Sequence, residues 1–193
     1  MNAENDSVLT HFASPQRASE DILSRQNSAI SGMRMLCELL DSMPEFVMIL
    51  NRFRQIIFGN KPLADLARSL GCISFIGMRP GELLSCQTAI TAVSGCGTGE
   101  GCKTCGAVLT ILDALNGTGS ARDCRISRIA SGGMSPMDLR VWGRPFVHEN
   151  EGYCLIIATD ISNETRRKIL EKIFFHDVLN TAGNILNISD MLC

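Results

Sequence analysis

Five stretches of this chain have the character of strands, and their order limits the fold more than any other feature. Phe46 to Leu50 (FVMIL) is a continuous apolar run, the pattern of a buried strand, and Gln55 to Phe58 follows after a turn at Asn51 to Arg54. Three more strands are predicted at about 121–129, 137–147 and 152–159. The last two are joined by His148-Glu149-Asn150-Glu151-Gly152, a hairpin loop. Between the two groups lie helices: one opens at Asn60 and closes at Gly71, and another runs from about Ala107 to Leu115. The class is therefore α+β, an antiparallel five-stranded sheet with flanking helices.

The remaining organisation follows from composition and breakers. Residues 1–16 read as a flexible tail, and 17–43 as an N-terminal helix with Ser19 as its candidate N-cap, ended by Met43-Pro44. Residues 44–162 form the main domain, with a Cys- and Gly-rich insertion at 82–106, and 163–193 form a long helix, charged and then amphipathic. The 193 residues are 45% hydrophobic with a mean hydropathy of +0.12, enough for a folded core. A net charge of −2 gives no reason to expect nucleic acid as a partner. No apolar run approaches the roughly 18 residues of a membrane span, and Met1 to Ser14 lacks the pattern of a secretion signal. The expected compartment is the cytoplasm, where nine cysteines are kept reduced and clustered thiols point to metal or redox chemistry.

Cys86, Cys96, Cys102 and Cys105 form the series C-x9-C-x5-C-x2-C. The intervening glycines allow tight folding around one centre, and Gly-rich backbone N–H groups can face the sulfides of a cluster. Four thiolates suit an iron–sulfur cluster, with 4Fe-4S the first choice, or tetrahedral zinc as the alternative. Three ligands in ten residues with a distant fourth favour the cluster. Without metal, Cys102 and Cys105 are a candidate disulfide pair. Cys37, Cys72, Cys124 and Cys154 lie in apolar contexts and read as small core residues, although the strand after the Cys105 helix can carry Cys124 near the site. Gly95 to Thr104 lacks the Gly-Lys-[Ser/Thr] adjacency of a phosphate-binding loop, so nucleotide binding is rejected there.

On the C-terminal helix, Leu170, Phe174, Val178 and Leu179 fall on an apolar half, while Lys172, His176 and Asn180 form a polar stripe. An exposed imidazole beside Asp177 has what a phosphoryl acceptor needs, a reachable nitrogen with a carboxylate to hold its proton.

Two resemblances meet in this chain. Phe174-Phe175-His176-Asp177 followed by Asn180 resembles the H-box of bacterial sensor histidine kinases. The order of elements, with "LLDSMPEFVMILN" at 39–51, "IIFGNKPLADL" at 56–66 and "IIATDIS" at 156–162, resembles a PAS domain. Together they imply the input region of a cytosolic two-component kinase, signalling to the phosphoacceptor His176. They also imply Asp177 as neighbouring acid or base, and Asn180 as the residue that orients water in dephosphorylation. A homodimer through the helices and a response regulator are the implied partners, and ATP with Mg²⁺ belongs to a kinase portion expected to be missing after Cys193. The competing readings are a structural zinc-binding dimeric interaction module and a small dithiol redox enzyme.

Overall fold

The computed structural model describes residues 10–130 and 133–191; the side chains of 130 and 180–191 lie outside that description. It divides into two units, Met1–Asp160 and Ile161–Cys193.

In the first unit two helices, α1 (Glu20–Ser31) and α2 (Arg34–Asp41), precede β1 (Phe46–Leu50), β2 (Ile56–Gly59) and helix α3 (Lys61–Ser69). Two short helices, α4 (Pro80–Leu83) and α5 (Gln87–Thr91), and a 3-10 turn at Glu100–Thr104 lead to α6 (Gly106–Leu115). Strands β3 (Ser120–Ala130), β4 (Gly133–His148) and β5 (Glu151–Asp160) follow. All pairings are antiparallel, and the strand order is β2-β1-β5-β4-β3. This is the expected α+β class, and its element order is the one the PAS resemblance implies. The single helix expected over 17–43 is instead two. Gly32 ends the first with an αR cap, and Met33 leaves helical dihedrals before α2 starts. The Cys-rich insertion carries short helical turns at Gln87–Thr91 and Glu100–Thr104.

Strand alternation divides the core in two. Met48, Leu50, Cys124, Ile126, Met137, Leu139, Val141, Ile156 and Ala158 point to one face, where α3, α4 and α6 supply Leu63, Leu83, Leu84 and Ile111. Val47, Ile49, Ile57 and Tyr153 point to the other, covered by Ile30 of α1 and Leu40 of α2. This explains the unbroken FVMIL run, since β1 is buried on both faces. The tight β4–β5 turn places Glu149 and Asn150 at positive φ, a conformation that Asn tolerates best among non-glycine residues. At the outer half of β3–β4, Asp123 pairs with Arg140 and Asp138 with Arg125 across the ladder.

Asn60 fixes the entry to the core. Its side-chain carbonyl accepts from Val47 N at 3.0 Å and caps α3 through Leu63 N at 3.2 Å. Its amide donates to Leu40 O at 3.0 Å and Glu45 O at 2.9 Å, all without solvent contact. No other side chain has the paired donors and acceptor to serve both roles at this length. Asn60→Ala should therefore lower unfolding free energy by about 2–4 kcal/mol, from several buried groups left unpaired. Urea titration checks this, and a loss below about 1 kcal/mol would show that water replaces the amide.

Candidate functional site

Between the inner sheet face and α3 to α6 lies a cavity of about 270 Å³. Its apolar wall includes Met48, Leu63, Ile111, Leu139, Val141 and Ile156, and five thiols are part of the lining: Cys86, Cys96, Cys102, Cys105 and Cys124. All four cysteines expected from spacing thus face one space, joined by Cys124. Cys86 caps the start of α5 and forms an isolated bridge with Arg128 of β3. Cys96 follows in the glycine loop, Cys102 sits in the 3-10 turn, and Cys105 caps α6. They surround the cavity without meeting at one point. Among the described residues, no three Cys, His, Asp or Glu side chains are grouped closely enough to hold a single metal ion.

Two glycines set this geometry. A Cβ on Gly106 would lie 2.2 Å from the carbonyl oxygen of Asp123, so only glycine lets α6 start directly against β3. That approach leaves the Sγ atoms of Cys105 and Cys124 3.5 Å apart. Gly95, at φ +82°, has the Glu82 carboxylate 2.1 Å from where its Cβ would stand. Any side chain there would displace the carboxylate that accepts from Cys96 N at 3.2 Å.

The loop is held by a buried cation. Arg79 has no solvent exposure, and its guanidinium donates to six carbonyls. Nη1 reaches Ser94 O and Cys96 O, both at 3.1 Å, and Nε reaches Phe53 O at 3.2 Å. Nη2 reaches Gln16 O at 2.7 Å, Pro15 O at 3.2 Å and Ser14 O at 3.4 Å. Burial, then the neighbouring Arg54 and Arg17, push its pKa down to about 10, which leaves it charged at neutral pH. Arg54 donates to Ser14 O at 2.8 Å, and Glu82 pairs with Arg17. Residues 11–17, expected as the end of a flexible tail and the start of a helix, instead form a strap. Its His11 and Ala13 N–H groups bond Thr98 O and Gly97 O of the cysteine loop.

The thiols differ electrostatically. Burial pushes Cys96 up to about 12, and the nearby Cys102, Cys105 and Cys86 add to that rise. Burial also raises Cys102. Cys105 is lowered, first because Cys124 donates its S–H to it and then because the Val108 and Ala107 N–H groups of the α6 start face it. Cys124 is raised as that donor. Cys154, on β5, is raised to about 12 by burial and lies outside the cavity lining. Cys37 and Cys72 are half-buried beside the core rather than inside it.

The second unit is helix α7 (Ser162–Met191). His176 and Asp177 side chains are 72% and 70% exposed, with Nδ1 3.4 Å from Oδ1. Asn180 stands on this helix, but its side chain lies outside the described residues. The two-sided pattern is less clean than expected. Ile169, Leu170, Ile173, Phe174, Phe175, Val178 and Leu179 are all exposed and pass around most of the helix. His176 stands seven residues after Ile169, three after Ile173 and three before Leu179, so its polar stripe is narrow. Among the described residues, no helix is long and apolar enough to cross a membrane.

Arg79, Glu82 and Gly106 were not legible as site residues. The signal for two of them was present: Pro80 at the first helical position with Glu82 two residues on is a helix-start pattern, and Glu82 accepts from Arg79 N at 2.9 Å.

With this geometry in place, several solved structures are similar to the chain. The PAS domain of an HTR-like protein from Haloarcula marismortui shares 17% identity with a TM-score of 0.42, over 72% of this chain and 98% of that one. The PAS domain of nitrogen regulation protein NR(II) from Vibrio parahaemolyticus shares 16% with a TM-score of 0.44, over 66% and 98%. The PAS domain of BvgS from Bordetella pertussis shares 12% with a TM-score of 0.42, over 78% and 98%. No family model and no curated protein sequence matches the chain.

The lowered Cys105 thiol has a measurable consequence. In the reduced, metal-free chain near neutral pH, Cys105 should react with iodoacetamide on the order of tenfold faster than Cys102. Cys124→Ala should remove much of that advantage, because the thiolate loses its donor. Peptide mass spectrometry of timed alkylation checks both, and equal rates at Cys105 and Cys102 would contradict the assignment.

Proposed function

We propose that residues 44–162 form a PAS-type sensory input module that detects its signal at the thiol-lined cavity, with an iron–sulfur cluster, 4Fe-4S in type, as resident group. The observation that carries this reading is the convergence of five thiols, from α5, the glycine loop, the 3-10 turn, α6 and β3, on one cavity behind the sheet. The donor set is all sulfur, which suits iron–sulfur or zinc chemistry. A single tetrahedral ion needs every thiolate about 2.3 Å from one centre, and the described residues are not gathered so tightly. A cluster of several irons binds each thiolate to a different iron and accommodates wider spacing. When bound, such a cluster supplies a centre sensitive to oxygen and electron supply.

At Cys105 the chain's own residues favour a thiolate. Cys124 donates its S–H to Cys105, and the start of α6 faces the same sulfur with the Val108 and Ala107 N–H groups. Both lower the electrostatic cost of negative sulfur at Cys105. Cys86, Cys96, Cys102 and Cys105 are the proposed ligands. Protein prepared without oxygen should be brown and hold iron with acid-labile sulfide. Cys102→Ser should strip it, whereas Cys37→Ser, remote from the cavity, should not. Colourless, iron-free and folded anaerobic protein would overturn the cluster, and stoichiometric zinc in its place would support the structural interaction module instead.

For the second unit we propose the phosphoacceptor role: His176 receives the phosphoryl group from a kinase ATP-binding domain with Mg²⁺ and passes it to a response regulator. Asp177 assists the imidazole and Asn180 orients water. The exposed apolar residues of α7 support pairing with a second copy into a parallel helical dimer. With a histidine-kinase catalytic domain and Mg-ATP supplied, acid-labile phosphate should appear, and His176→Gln should eliminate it. Cutting the chain after Ser162 should lower its mass in solution from dimer to monomer. Labelling that survives His176→Gln, or a dimer that survives truncation, would discard the corresponding role.

A further inference from the structure

We propose that Cys105 and Cys124 form a reversible disulfide in the metal-free chain, and that this modification competes with metal loading at Cys105. The disulfide stands on the geometry alone; the competition rests on the cluster reading above. The two Sγ atoms are 3.5 Å apart, and a disulfide needs about 2.05 Å, so the sulfurs must close by only about 1.5 Å. Gly106 brings the start of α6 against Asp123, the residue before Cys124, so the two backbones run close together here. Cys124 is buried in β3, opposite Leu139 in the ladder, so it is a fixed partner rather than a wandering one.

Five thiols line a site for which four ligands are expected. The fifth has a defined use if it captures Cys105 whenever the metal is absent. Hydrogen peroxide is the proposed oxidant. One thiol sulfur attacks the peroxide O–O bond and becomes a sulfenic acid as water leaves. The second thiol sulfur then displaces the hydroxyl, which departs as water with the thiol proton. Two electrons pass from the sulfurs to peroxide, and a dithiol reductant reverses the change. A sulfur held in a disulfide cannot bind iron, so the oxidised chain reloads only after reduction.

The test uses the full chain, stripped of metal with a chelator, reduced, desalted and treated with stoichiometric hydrogen peroxide. Free thiols are then blocked and the chain is digested for mass spectrometry. The expected product is a Cys105–Cys124 linked peptide pair that reduction abolishes. On anaerobic addition of ferrous iron and sulfide, the oxidised wild type should take up several-fold less iron than the reduced form. Cys124→Ala and Cys124→Ser should load iron equally with or without prior peroxide. A Cys102–Cys105 link in place of the expected one, or no link, overturns the disulfide. A Cys105–Cys124 link with undiminished iron uptake overturns the competition. If neither oxidised nor reduced chain takes up iron, the cluster reading falls and the competition with it, while the cross-link alone decides the disulfide.

Discussion

A guanidinium without solvent contact is tolerable only when each of its N–H groups finds an acceptor, and Arg79 meets that condition with six main-chain carbonyls. Those carbonyls come from the strap at 14–16, the turn at Phe53 and the loop at 94–96. One side chain therefore sets the mutual position of three segments that have no regular structure of their own. Glu82 completes the arrangement, capping α4 while it accepts from Cys96 N and pairs with Arg17. An arginine and a carboxylate thus hold the cysteine loop from behind.

The site grows out of this frame and out of one close approach. Because Gly106 has no side chain, the positive end of α6 meets β3 where Cys124 faces inward. The sheet contributes an apolar wall and Cys124, and the segments before and at the start of α6 contribute the other four sulfurs.

Much of the architecture was visible in the chain itself. Strong signals produced correct elements: the FVMIL run, Asn60 as the cap of α3, Gly71 at its end, the turn between β4 and β5, and Asp160 closing the last strand. The spacing of Cys86, Cys96, Cys102 and Cys105 placed them at one cavity, and β3 brought Cys124 there as its position suggested. Other features escaped for physical reasons. Helices of four or five residues are too short to show a period, so α4 and α5 looked like loop. The break at Gly32 and Met33 lies inside a run whose apolar spacing continues across it. Arg79 resembled any surface arginine because its six acceptors are main-chain atoms, which carry no signature in side-chain sequence.

The order β2-β1-β5-β4-β3 also bears on how the chain is made. The last strand of the first unit lies in the middle of the sheet, with β1 on one side and β4 on the other. Val47 pairs with Ile157, so the two halves of the sheet share no ladder until the segment through Asp160 has emerged. Before then, a nascent chain holds two separate hairpins, each with an open edge and an uncovered apolar face. Such non-local pairing is slow to close. Ribosome progress past Asp160, rather than any earlier point, is the moment at which this domain can first become whole.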